Sequence, residues 1–199
     1  MLVRRRRHGR VAVLELSRPD RRNAIGPELA DHLQRAALAV GSDGEVSAVV
    51  LTGAGPSFCA GADMKERTAG RSGSAAVLDA VRRASWAVHE IPVPVIGAAR
   101  GHAIGAGLEL LAMCDYRVVE EGTRMGIPEV RQGITSGGGL LALSSLVGRG
   151  QLARLAFTGE TLEAGTALAM GVVDDVVDQG GSREVALSLA ERMAESPRA

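Results

Sequence analysis

The stretch Pro94–Asp115, PVIGAARGHAIGAGLELLAMCD, constrains this chain most, because it compresses a strand, a glycine-rich turn and a helix into one short segment. Val95, Ile96, Ala98 and Ala99 form a brief apolar run bounded by Pro94 and Gly101, which predicts a buried strand. Gly101 to Gly107 reads as a loop whose glycines let backbone approach whatever lies beside it. Leu108 to Cys114 reads as a helix. Its first turn offers N–H groups with no intrahelical partner at the positive end of the helix dipole, where an oxyanion is stabilised. Glu109 stands next to that place in an apolar setting, so an ionisable carboxyl and an anion site come together, as acid–base chemistry requires. Alone, the pattern also describes an ordinary strand–turn–helix unit of an α/β protein. A second stretch of the same kind, Phe58–Glu66 (FCAGADMKE), again leads small residues into a polar helical start and shifts the balance toward a site.

Along the chain, Arg10–Ser17 predicts a strand ended by Arg18-Pro19-Asp20, and Pro27 opens a helix to about Val40 with Leu29, Leu33, Ala36, Ala37 and Val40 on one face. Val46–Thr52 is a second strand. The glycines after it do not make a dinucleotide fingerprint, since Pro56 and Phe58 stand where a third glycine and a helix start are needed. Thr68–Ser74 reads as a break before a helix from Ala75 to Glu90, whose stripe Val77, Val81, Ala84, Trp86 and Val88 reads as core. Tyr116–Val119 and Thr123–Gly126 are strands, and Ile127-Pro128-Glu129 starts a helical turn with proline where the first turn tolerates it. Gly133–Gly139 reads as a flexible loop. Helices over Leu140–Val147, Gln151–Phe157 and Leu162–Met170, a strand over Val172–Val177 and an amphipathic helix over Arg183–Ala194 follow.

Composition removes several function classes. Lys plus Arg and Asp plus Glu stand at 23 each, which leaves no global field to draw nucleic acid or membrane, and two Phe, one Trp and one Tyr cannot build a base-stacking platform. The run Arg4–Arg7 reads as a solvated terminus. No apolar run reaches the ~18 residues of a membrane span, and Val11–Leu16 is too short and charged for a signal-peptide core, so a cytoplasmic protein is expected. Cys59 and Cys114 are too few for a disulfide framework and lack metal-ligand spacing. Both read as small buried residues, and no metal is expected. The length, 199 residues, fits a single domain spanning residues 1–199.

Taken together, Phe58–Glu66, Pro94–Asp115 and Gly126–Gly139 (GIPEVRQGITSGGG), with Arg18-Pro19, Asn23-Ala24 and Thr158-Gly159, resemble the crotonase, or enoyl-CoA hydratase/isomerase, superfamily in order and separation. The resemblance implies an α/β fold, a spiral of ββα turns, without the C-terminal helical extension usual in the family. It implies an oxyanion hole made by the backbone N–H groups of Ala62 and Ala106 around the thioester oxygen of an acyl-CoA. Glu109 and Glu129 fall where hydratases carry their two catalytic carboxyls. Ala60, Ala62, Asp63, Met64, Lys65 and Ala106 correspond to the lining of the CoA and thioester site. Ala106 stands where many relatives have glycine, which leaves a backbone donor intact. The implied activity is addition of water across the C2=C3 bond of a 2-enoyl-CoA, with coenzyme A part of the substrate and no separate cofactor. The implied assembly is a homotrimer or a dimer of trimers.

Other readings are an enoyl-CoA isomerase, which needs one carboxyl rather than two, and a catalytically weak acyl-CoA-binding homologue. A serine acyl hydrolase is disfavoured: G-x-S-x-G is absent, and Ser136 has no suitably spaced histidine. His102 reads as a structural or solvated loop histidine.

Overall fold

The computed structural model describes residues 1–67, 70–134 and 137–196. With strands numbered in chain order, the larger sheet consists of β1 (Val3–His8), β2 (Val11–Leu16), β3 (Ala48–Gly53), β4 (Val95–Ala99), β6 (Tyr116–Glu120) and β9 (Asp175–Val177), side by side in that order. A smaller sheet holds β5 (His102–Ile104), β7 (Arg124–Gly126) and β8 (Thr161–Glu163). From β2 to β9 the large sheet is parallel, and only β1 runs antiparallel to its neighbour. Strands covered on both faces read as unbroken apolar runs, and β2 and β3 are buried at every position.

The helices follow from the crossovers that parallel strands demand. After β2 the chain makes a bridge at Ile25 and enters α1 (Pro27–Gly41). After β3 it runs through Cys59–Ala62 into α2 (Met64–Arg67) and α3 (Gly70–His89). β4 leads through β5 into α4 (Ala106–Ala112), and β6 through β7 into a 3-10 turn, Pro128–Gln132, and then α5 (Gly137–Ser144). Parallel pairings Ile25↔Ala62, Cys59↔Ala103 and β5 with β7 stack these second strands into one column. The result is a spiral of ββα turns in which successive helical starts line up along one edge. α6 (Arg149–Thr158), α7 (Ala164–Met170) and α8 (Ser182–Ala194) follow, with Ala186 and Ala190 of α8 buried against the large sheet among Val11, Val13, Val50 and Ile96. Among the described residues no helix is long and apolar enough to cross a membrane.

Several expectations change. The loop 101–107 contains β5, and α4 begins at Ala106, two residues early, because pairing with the distant β7 orders the turn. Leu162–Met170 splits into β8 and α7 for the same reason, β8 being fixed by antiparallel pairing with β7. The run Arg4–Arg7 is part of edge strand β1; charges along an exposed edge discourage pairing with other chains, and Arg5 and Arg7 pair with Asp43. α3 already begins at Gly70, inside the expected break, and α5 takes in Gly137–Gly139 from the expected loop; residues 68–69 and 135–136 lie outside the described residues. Trp86 is not core: Val77, Ala84 and Val88 are buried, whereas Trp86 is 40% exposed and meets the His89 ring edge-on. Two residues along a helix is about 200° of rotation, which turns Trp86 away from Ala84 and Val88.

Candidate active site

The site grows from two adjacent turns of the spiral. Gly105 adopts φ 56 and ψ −123, a conformation a side chain would oppose, and this turns β5 abruptly into α4. Ala106 is the first helical residue, so its N–H has no partner within the helix. On the neighbouring turn, Ile25 N–H donates to Gly61 O at 2.7 Å and Ile25 O accepts from Asp63 N–H at 2.8 Å. A parallel bridge of this kind uses the groups flanking Ala62 and leaves its own N–H on the opposite side. Among the described residues neither the Ala62 nor the Ala106 N–H donates to a protein acceptor. The two segments lie flat on each other: a Cβ built on Gly61, itself at φ 99, would stand 3.6 Å from the Ala106 nitrogen.

Both glutamates reach this place. Glu109, one turn into α4, is 5% exposed. Burial holds its carboxyl above the ordinary range; the nearby Ser85 side chain and the Gly139 backbone pull the other way, and the charge of Glu129 adds an upward push. Gly138 of α5 packs so closely on Glu109 that any Cβ there would strike the carboxylate. Glu129, in the 3-10 turn opened by Pro128, is half-buried, and a Cβ on Gly105 would lie 2.5 Å from its Oε1. Two carboxyl groups and the Ala106 N–H thus share one small region. An apolar recess of about 100 Å³ beside Glu129 is lined by Ile127, Val130, Ile134, Leu140, Ala156 and Phe157.

The remaining expected site residues are placed less uniformly. Ala60 is half-buried and donates its N–H to Arg22 O at 2.9 Å. Asp63 is buried; its carboxylate pairs with Arg18 at 2.9 Å and caps the start of α2 through the N–H groups of Lys65 and Glu66. Met64 and Lys65 are exposed on the first turn of α2. His102 is held by its Nδ1, 3.1 Å from Ser57 Oγ. Burial pushes the Cys59 and Cys114 thiols up to about 12, so neither is a nucleophile at neutral pH. Ser136 lies outside the described residues. No cluster of three potential metal ligands occurs among the described residues. Sequence reasoning missed Ser85 and Gly138. Ser85 looks like any polar residue in an amphipathic helix, and Gly138 like loop composition, so neither carries a local signal.

Fold and site together define an α/β spiral protein in which Glu109 and Glu129 lie close to the start of α4, beside the segment that carries Ala62. The chain belongs to the enoyl-CoA hydratase/isomerase family, whose model matches residues 6–199. It is 38% identical over 190 residues to the 2,3-dehydroadipyl-CoA hydratase of Escherichia coli, covering 94% of this chain and 74% of that protein. It is 36% identical over 192 residues to the short-chain-enoyl-CoA hydratase of Clostridium acetobutylicum, covering 94% of this chain and 73% of the relative. The crystal structure of an enoyl-CoA hydratase from Bacillus anthracis superimposes with a TM-score of 0.96 at 31% identity, over 100% of this chain and 78% of that one.

Proposed function

We propose that this chain is an enoyl-CoA hydratase, adding water across the C2=C3 bond of a 2-enoyl-CoA thioester. The observation that carries the reading is the meeting of Glu109 and Glu129 beside the Ala106 N–H. An isolated double bond resists water, but conjugation to a thioester carbonyl draws electron density from C3. As oxygen adds there, negative charge moves onto the thioester oxygen, where two aimed N–H donors stabilise it. Ala62 and Ala106 are the proposed donors. Glu109 is assigned chiefly to holding and deprotonating the water, and Glu129 to delivering the proton to C2. Because the two groups are coupled, their protons belong to the pair rather than to either residue.

Ala60, Ala62, Asp63, Met64, Lys65 and Ala106 are proposed to line the CoA and thioester site; for Asp63 the part is indirect, through Arg18 and the start of α2. Coenzyme A arrives as part of the substrate, and the working assembly is proposed to be a homotrimer or a dimer of trimers. The direct test is a panel of 2-enoyl-CoA thioesters followed by loss of the conjugated thioester absorbance. Hydration of at least one member is expected. Conversion of 3-enoyl-CoA to 2-enoyl-CoA without hydration would replace the reading with isomerisation, and acyl-CoA binding without turnover would replace it with a binding protein.

A further inference from the structure

We infer that Asn23 is a positioning residue for this chemistry, holding residues 54–63 so that the Ala62 N–H faces the thioester oxygen. The inference rests on the proposed role of Ala62 as an oxyanion donor. Asn23 is 0% exposed and takes φ 57, a left-handed conformation that asparagine tolerates better than most residues. Both ends of its side chain are in use. Oδ1 accepts from Arg18 N–H at 2.8 Å, while Nδ2 donates toward the carbonyls of Ala54 at 3.0 Å, Ser57 at 2.8 Å and Phe58 at 3.1 Å. Its own carbonyl accepts the Cys59 S–H at 3.1 Å.

The neighbouring residues continue the same alignment. Ala60 N–H donates to Arg22 O at 2.9 Å, Ile25 N–H to Gly61 O at 2.7 Å, and Asp63 N–H to Ile25 O at 2.8 Å. Residues 22–25 therefore bind residues 58–63 group by group, and the last groups bound are the carbonyl and the N–H on either side of Ala62. Arg18 closes the arrangement from outside, pairing with Asp63 at 2.9 Å and Glu66 at 3.0 Å. An asparagine serving only its own turn would need the Arg18 contact alone. This one spends its donor on a segment more than thirty residues away. Oxyanion donors work because they are aimed before the charge develops. Without Nδ2, three buried carbonyls lose a donor, and the strand that presents Ala62 is free to shift.

Asn23→Gly tests this, since glycine keeps the left-handed backbone and removes the side chain. The expected result is a loss of about 10- to 100-fold in kcat, the scale set by small misplacements in active sites. Affinity for a saturated acyl-CoA should change little, because its carbonyl carries little charge. The pH profile of kcat/KM should be retained, since neither glutamate is touched. A 3-ketoacyl-CoA gives an independent readout: two aimed donors favour its enolate, whose near-ultraviolet absorbance should fall in the variant. Thermal unfolding establishes that the variant is folded. If it is not, Asn23→Asp, which keeps the size and the Oδ1 acceptor, carries the same comparison. A folded variant with wild-type kcat overturns the inference, and so does a reduced kcat with undiminished enolate absorbance. Wild-type protein that neither hydrates enoyl-CoA nor forms the enolate would instead overturn the assignment of Ala62 and Ala106.

Discussion

Replacing Glu109 with glutamine should make the protein less active and more stable, a pairing that few substitutions produce. Glu109 is 5% exposed, and burial holds its carboxyl above its ordinary value of 4.5. For a group raised in the folded state, the stability it contributes is fully present below the ordinary value and is lost as pH rises through the raised one. Above that window the folded protein bears the cost of a buried charge next to Glu129. Glutamine keeps the size and an oxygen beside Ser85 and Gly139, and removes that charge. Glu109→Gln should therefore unfold at higher temperature than wild type at pH 8 and at the same temperature below pH 4.5. In a chain of this length each 1 kcal/mol gained appears as ~2–4 °C in Tm. Turnover should fall by ~10²–10⁴-fold, the usual contribution of a general acid–base group, with acyl-CoA binding little changed. The acid limb of the wild-type kcat/KM profile should lie above 4.5 and vanish in the variant. Adding Glu129→Gln should cost much less than the product of the single losses, since the pair acts as a unit. Near-normal kcat in folded Glu109→Gln, or a Tm difference independent of pH, would refute the assignment.

The other predictions address the space, donors and surfaces around that carboxyl. Gly138→Ala should gain up to ~1 kcal/mol of helix propensity yet lower kcat, since the new methyl displaces the Glu109 carboxylate; unchanged turnover would show that the contact is irrelevant. Ala106→Pro removes one N–H at a helix position that accepts proline, and should reduce kcat by ~10²–10³-fold; a folded variant hydrating at the normal rate would remove residue 106 from the oxyanion hole. Cys59 and Cys114 should resist thiol reagents at pH 8 until the chain unfolds, and rapid labelling of the native protein would show that the sheet opens locally. Exposed Trp86, Leu141 and Phe157 add apolar surface that favours association, so sedimentation should report a trimer or a multiple of it; a fully active monomer would exclude that assembly.

The parts of the fold legible in the sequence are those whose signal is local. Continuous apolar runs announce strands buried on both faces, as in β3 and β4, and Pro27 and Pro128 mark helical starts from within the first turn. The glycine turn before α4 and the small residues before α2 were visible for the same reason, since close backbone approach leaves a mark in residue type, and Glu109 and Glu129 stood out as a pair through the family resemblance. What only the tertiary structure decided depends on partners far away in sequence. β5 and β8 are three-residue strands that exist through pairing with β7, and in isolation each reads as loop or helix. Trp86 shares a helix with core residues and faces outward, which depends on where neighbouring helices pack. Ser85 and Gly138 become part of the site because α3 and α5 bring them to Glu109, and Asn23 matters because it ties together segments more than thirty residues apart. Local patterns record what each residue needs from its own turn of chain; the spiral stacking decides which of those turns meet.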